Sequence, residues 1–510
     1  MKRIINILAL IIVTAQINAQ STYNVLPLFS PDLTGTARFV GMGGAMSALG
    51  GDISTMSTNP AGIGIYRSND FAATASLSFL NTKADFLGSS LSKDNVNLSF
   101  DNIGIVFSGD FGGESLKFVN LGINYSHRNN FRKEFAMNGW YAAENGDNLY
   151  SQQYQIQNLY DCSKPNLANI SSDSYWNPRY AWLPLLAGDA GLLDNEGGIN
   201  YLPTDATFFS EEKGGVDQID FNLSCNINDR LYLGATFGVQ YVDYQRSSIY
   251  EEFDDYGTIY TLDNWQKTEG AGFDVKLGAI VRPFEYSPFR LGLAFHLPTF
   301  YNLTDYSNAY IAGPEIEGEG YREMATVWPE AYGEDYIVDY SVSSPWRMNV
   351  SAGYTFDNFL AFNAEYEYVN YSSANMEYTD GTKMPDMEEE FESNMQSQNI
   401  LRLGAEMRLD DNFSMRFGYN YISSAFREDA WKYISPSSAT TATDYTNIKD
   451  TNLFTLGLGY RGKSIYFDAA YQCAIQDAEF FTYKDPEISL PATEVSNFQN
   501  KLIFTLGVRF

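Results

Sequence analysis

Several things are scarce in this 510-residue sequence, and each scarcity excludes something. Its three cysteines (Cys162, Cys225 and Cys473) are odd in number and widely spaced, so they form no disulfide framework. There are two histidines, His127 and His296, with no G-x-S-x-G elbow and no Cys/His pair. Nucleophilic catalysis lacks its usual parts, and the chain is not expected to be an enzyme. No apolar run reaches the about 20 residues of a membrane helix. Together with a mean hydropathy of −0.27, this excludes a helical multi-spanning protein. Positive charge is short as well: 33 Lys and Arg against 63 Asp and Glu leave −30. Without a basic cluster, nucleic acid is not an expected partner. The carboxylates form no D-x-D-x-D-G loop, so no metal is expected, and no motif asks for a cofactor.

What is present is apolar, aromatic and glycine-rich. Hydrophobic residues make up 44% of the chain, with 37 Tyr, 35 Phe and 41 Gly, which is too much burial potential for a disordered acidic chain. Lys2-Arg3, the apolar stretch Ile4 to Val13 and Ile17-Asn18-Ala19 before Gln20 predict a secretory signal peptide over 1–19.

From about residue 70 the chain alternates with a period of two, which places one set of side chains on each face of a strand. Leu502, Phe504, Leu506, Val508 and Phe510 alternate with Ile503, Thr505, Gly507 and Arg509. Leu401, Leu403, Ala405, Met407 and Leu409 alternate with Arg402, Gly404, Glu406 and Arg408. One face is aliphatic and aromatic, whereas the other mixes glycine with charges of both signs. Tight links at Asn228-Asp229, Phe284 to Pro288, Asp357-Asn358, Asp411-Asn412 and Gly462-Lys463 alternate with longer polar insertions. These lie near 81–96, 140–214, 251–270, 304–341, 374–397, 426–449 and 478–497. Short turns at one end and long loops at the other are the signature of a transmembrane β-barrel. The pattern predicts an all-β fold, a 14-stranded antiparallel barrel over 70–510 in the outer membrane of a Gram-negative envelope. The lipid bilayer is then a partner. The terminal Phe510, closing an alternating strand, is expected to be read by the barrel assembly machinery.

Residues 20–69 break the alternation and are dense in glycine and small apolar residues, as a compact plug inside the barrel would be. Gly41-Met42-Gly43-Gly44-Ala45, Asp52 and Asn59-Pro60-Ala61-Gly62, running into the first strand, resemble the hatch of the FadL/TodX family of outer-membrane transporters. Ser344-Pro345-Trp346, Ala364-Glu365-Tyr366-Glu367-Tyr368, Arg416-Phe417-Gly418-Tyr419 and Leu456-Gly457-Leu458-Gly459-Tyr460 resemble strand segments of that family. The resemblance implies an N-terminal hatch within the lumen and passive uptake of hydrophobic small molecules, such as long-chain fatty acids or aromatic hydrocarbons. It also implies exit through a wall opening beside a kinked third strand, where Phe131 and Phe135 are the candidates. Gly41, Gly43, Gly44, Asp52, Asn59, Pro60, Ala61 and Gly62 would hold the hatch in shape. Arg38, Arg67, Arg347, Arg402 and Arg416 have two readings: members of an internal salt-bridge network, or receivers of a carboxylate head group. His296 alternates inward and should hydrogen-bond in the lumen, while His127 reads as a surface residue. The size and polarity of the loops support an alternative, the same barrel serving as a shuttle or scaffold in protein secretion. A general porin is disfavoured because a plug would obstruct water-filled flow.

Overall fold

The computed structural model describes residues 21–113, 115–140, 151–177, 179–317, 321–327, 335–357, 359–484 and 490–510. The expected signal peptide 1–19 lies outside the described residues. Fourteen antiparallel wall strands follow one another around a single closed sheet. They are β1 (Asp70–Phe86), β2 (Ser89–Asp110), β3 (Leu116–Asn130, continuing as Lys133–Trp140) and β4 (Asp205–Ile227). Next come β5 (Leu231–Asp254), β6 (Gly257–Val281), β7 (Arg290–His296 and Phe300–Glu317) and β8 (Tyr336–Ser343 and Arg347–Phe356). The circuit is completed by β9 (Leu360–Val369), β10 (Gln398–Arg408), β11 (Phe413–Ile422), β12 (Tyr445–Arg461), β13 (Ile465–Phe481) and β14 (Thr493–Arg509). Strand β14 bonds back to β1 from Asp70↔Arg509 to Asp85↔Glu494, so the ring has no open edge.

The alternation read from the sequence sorts the side chains as expected. On β14, Leu502, Phe504 and Leu506 are 38%, 47% and 56% exposed, whereas Ile503 and Thr505 are fully buried. The outward set repeats around the ring, with Phe237, Phe273, Leu293, Phe362, Leu403, Phe417 and Leu456 all exposed. Such a band of apolar side chains around a closed barrel is stable against lipid and not against water. Among the described residues no helix is long and apolar enough to cross a membrane.

Three insertions expected to be loops are largely strands instead; in 304–341, Phe300–Glu317 pairs with Tyr321–Val327 and with Tyr336–Ser343. The 81–96 segment is a hairpin in which β1 and β2 stay paired up to Phe86↔Ser89, turning on Leu87 and Gly88 at φ 47° and 84°. Two consecutive positive φ values match the right-handed strand twist in a two-residue hairpin. The 251–270 segment likewise belongs to β5 and β6, paired to Asp254↔Gly257. These strand ends outreach the apolar band, so their polar residues imitate loop composition. The 140–214 insertion does carry helices, α3 (Gln152–Ser163), α4 (Ser172–Tyr175) and α5 (Trp182–Asp189), and the acidic 374–397 segment carries α6 (Pro385–Asn394).

The N-terminal segment contains α1 (Thr22–Phe29), α2 (Ala37–Gly41) and two 3-10 turns, Ile53–Ser57 and Pro60–Ile65. Inward side chains from all round the ring reach it. Thr505 of β14 accepts from Ala37 N at 2.7 Å, and Asn120 of β3 donates to Ile63 O at 2.7 Å. Ser224 of β4 donates to Pro60 O at 2.8 Å, and Glu365 of β9 accepts from Ser47 N at 2.7 Å. The segment is thus hydrogen-bonded to wall strands on opposite arcs of the ring.

Candidate functional site

Between the N-terminal segment and the wall lies a chamber of about 520 Å³, within the range of small-molecule sites. Its floor is the stretch Tyr23 to Gly35 with Ser54, Ser57 and Thr58; its sides come from strands all round the ring, including Gln218 of β4, Lys276 of β6 and Arg402 of β10.

The glycines of the N-terminal motif are placed by steric need. Gly43 and Gly44 adopt φ 64° and 73°, where a Cβ is penalised. Asp52 accepts from Thr36 Oγ1 at 2.8 Å and from Ser54 N at 3.0 Å, capping the first 3-10 turn. Asn59 is fully buried. Its Nδ2 donates to Ser47 O at 2.8 Å and to Ala279 O at 3.3 Å, and its Oδ1 accepts from Ala61 N at 3.1 Å. Two strand glycines open the groove that this turn occupies. A Cβ on Gly278 would stand 2.1 Å from Asn59 Oδ1, and one on Gly234 would stand 2.4 Å from Pro60 C.

All five sequence-nominated arginines have partners within the protein. Arg38 Nε and Arg416 Nε share Glu406 Oε2, at 2.9 and 2.7 Å, and Arg416 Nη1 also reaches Asp468 at 2.6 Å. Arg402 pairs with Glu367 at 2.7 Å; Arg347 lies 3.5 Å from the same carboxylate and donates to Phe29 O. Arg67 bonds Asp229 at 2.6 Å over the Phe118 ring. Of the five, Arg347 and Arg402 line the chamber. The cations that sequence reasoning missed are Arg128, Arg132 and Lys133, all chamber-lining at the break in β3. Among the described residues, no carboxylate lies within the 4.0 Å of an ion pair to any of the three. Arg128 Nη1 donates to Gln218 Oε1 at 3.2 Å, while its buried Nε has no partner. Nothing in the local sequence separates these cations from the paired ones, because pairing is set by which strands become neighbours.

At the same break the ladder between two neighbouring wall strands stops. Strand β2 pairs with β3 only from Asp110↔Phe118 to Asn102↔Ser126, although it stays paired with β1 up to Ser89. A register irregularity flanks each side of the gap. One leaves Asp101 without a partner on β1, and the other leaves Arg128 without one on β4. An extra residue bends its strand and ends regular pairing. Asp101 is buried and anchored by Ser76 at 2.9 Å and Lys501 at 2.8 Å. Asn95 and Asn97 of β2 line the chamber together with Arg128 to Lys133, and Phe131 sits at the break in edge contact with Tyr244, 5.1 Å between centroids. Phe135 lies further out, packed on Phe208 and Phe480 in a cluster with helix α5.

The histidines offer no nucleophile activation. His296 Nε2 is 2.7 Å from Thr58 O, as the inward reading expects. His127 is not a plain surface residue: its Nδ1 lies 2.9 Å from Asp217 Oδ1, which also accepts from Tyr125 OH at 2.7 Å. Among the described residues no cluster of His, Cys, Asp and Glu could hold a metal.

Beyond the band, a loop helix meets the N-terminal segment. Glu390 of α6 accepts from Thr22 N at 2.9 Å and so caps α1. Burial raises the Glu390 carboxyl above the usual range despite those donors. Burial also lowers the Lys432 ammonium to about 8, although it donates to Ala442 O at 2.7 Å.

No protein-family model matches this chain, and no curated protein resembles it in sequence. Solved structures do resemble it. A FadL homologue of Pseudomonas aeruginosa superposes with a TM-score of 0.53 at 13% identity, covering 94% of this chain and 99% of its own. The Pseudomonas putida toluene transporter TodX gives 0.49 at 12% identity, and the Ralstonia pickettii toluene transporter TbuX 0.48 at 15%. Each of these two covers 94% of this chain and 99% of its own.

Proposed function

We propose that this chain, which has the FadL/TodX-type barrel fold, is a passive outer-membrane conduit for hydrophobic small molecules, long-chain or aromatic. The observation that carries this reading is the chamber above the N-terminal segment, whose margin coincides with the stretch where β2 and β3 part. Residues 20–69 act as the hatch: Asn59, Pro60 and Ala61 seat it in the groove opened by Gly234 and Gly278, and the ion pairs of Arg38 anchor its other side. Ligand enters past the loops, rests in the chamber, and leaves sideways between β2 and β3 at Phe131. Lateral exit suits an apolar cargo, since it passes from protein to lipid without crossing water. Phe135 belongs to the outer approach rather than to the exit itself. Arg347 and Arg402, already bonded to Glu367, shape the chamber.

The test is uptake of a hydrophobic fluorophore by cells or proteoliposomes carrying the protein. Deleting Arg128, the extra residue of the β3 irregularity, should restore regular pairing and cut uptake about tenfold while the barrel remains heat-resistant on gels. Unchanged uptake would sink lateral exit. Recovery of a secreted protein partner with no bound lipid or hydrocarbon would favour the shuttle.

A further inference from the structure

One side of the chamber wall is polar, unlike the greasy surface that a plain hydrocarbon would select. Along β12–β14 and β1–β2 its inward side chains are mostly amides and hydroxyls, led by Gln472, Gln476, Asn497, Gln499, Asn95 and Asn97. Among the chamber-lining residues described on these strands the charged one is Lys449, held by Glu479 at 2.7 Å. The amides are partly bonded to each other: Asn497 donates to Gln476 at 3.2 Å and accepts from Thr82 at 3.0 Å. Others keep capacity in reserve. Gln472 is 3% exposed and Asn102 fully buried, yet Gln472 Oε1 and Asn102 Oδ1 have no hydrogen-bond partner within the protein. A buried acceptor calls for a donor, and a hydrocarbon or carboxylate brings none. Phe131, Tyr244, Ile422, Phe426 and Leu453 supply apolar surface elsewhere in the same chamber.

Resting on the conduit reading above, we propose that the cargo class is an uncharged amphiphile whose polar part carries hydroxyl or amide groups. Its O–H or N–H donors meet the free amide oxygens, its own oxygens meet the amide N–H groups, and its apolar part lies on the aromatic and aliphatic side. An amide wall suits this role because it offers donors and acceptors together without fixing the sign of the ligand's charge. The competing anchor is the cation group at Arg128, Arg132 and Lys133, which would favour an anionic head.

Three probes sharing an octyl chain separate these readings: octyl β-glucoside, octanoate and octylbenzene. Their binding is measured on the full protein in nanodiscs and corrected with empty nanodiscs. The glucoside should bind about tenfold more tightly than either of the others, as a few satisfied neutral hydrogen bonds imply. Gln472→Leu with Gln476→Leu should lose that preference and gain octylbenzene binding, and the gain itself reports that the variant is folded. Octanoate or octylbenzene binding as tightly as the glucoside would overturn the cargo class while leaving the conduit standing. No probe exceeding empty nanodiscs would overturn the conduit reading itself.

Discussion

Two arcs of the inner wall are built differently. From β4 to β11 the inward residues include fixed charges: Asp220 and Asp274 on Lys276 at 3.0 and 2.8 Å, Glu367 on Arg402, and Glu406 between Arg38 and Arg416. From β12 round to β2 they are mostly hydroxyls, amides and apolar residues, with Asp468 paired to Arg416, Asp70 to Arg509 and Asp101 to Lys501. Both arcs border the chamber, the first with Lys276, Arg347, Glu367 and Arg402 and the second chiefly with amides. A buried ion recovers its desolvation cost only against a partner held close and in register. Neighbouring strands supply such partners for the charged arc even where it lines the chamber, as for Lys276 and Arg402. Amides tolerate a surface that is alternately wet and covered by ligand, because losing water costs them less.

On that division, breaking the charged arc should be the costlier act. Glu406→Ala leaves two guanidinium groups without their shared carboxylate and should destabilise the protein by about 3 kcal/mol, read by denaturant unfolding. A loss under about 1 kcal/mol would show that water rescues the arc. Outside the wall, Lys432 tests whether the loops bury charge as tightly. Its ammonium titrates near 8 when folded, below the usual lysine value of 10.5, so the unfolded chain binds more protons between those values. Stability should therefore rise with pH across that window, by about 3 kcal/mol relative to Lys432→Met. A parallel pH profile in the variant would mean that the buried ammonium is fully compensated. Gly278→Val drives a side chain into Asn59 and should unseat the hatch at about 1–3 kcal/mol, with single-channel conductance rising as the lumen opens. In the neutral arc, Gln472→Leu should change stability by under about 1 kcal/mol, because its carbonyl has no partner to lose. A larger loss would mark this amide as structural and narrow the contrast between the arcs.

The strands were legible where one face meets lipid, because the period of two in Leu502, Phe504 and Leu506 is the spacing of strand side chains and not of helical ones. The N-terminal segment was legible as a break in that period, and its glycines matched a recognisable motif. Legibility failed at 81–96 and 251–270, where strands outrun the apolar band and polar composition no longer distinguishes strand from loop. It failed again at the cations. Arg347 and Arg402 alternate inward like any lumen residue, and nothing in their neighbourhoods announces Glu367, which for Arg402 arrives on the adjacent strand β9. Arg128 looked no different, and its freedom comes from a register irregularity that only strand pairing creates.

The amino-acid sequence by itself determined that this chain is a barrel with an apolar exterior and a glycine-dense insert, since periodicity and backbone permissiveness are local properties. Only the tertiary structure decided which charges are spent on one another, where β2 and β3 part, and which amide oxygens remain free. Those depend on register between strands hundreds of residues apart, such as Asp70 against Arg509, and a one-residue slip would reassign every partner.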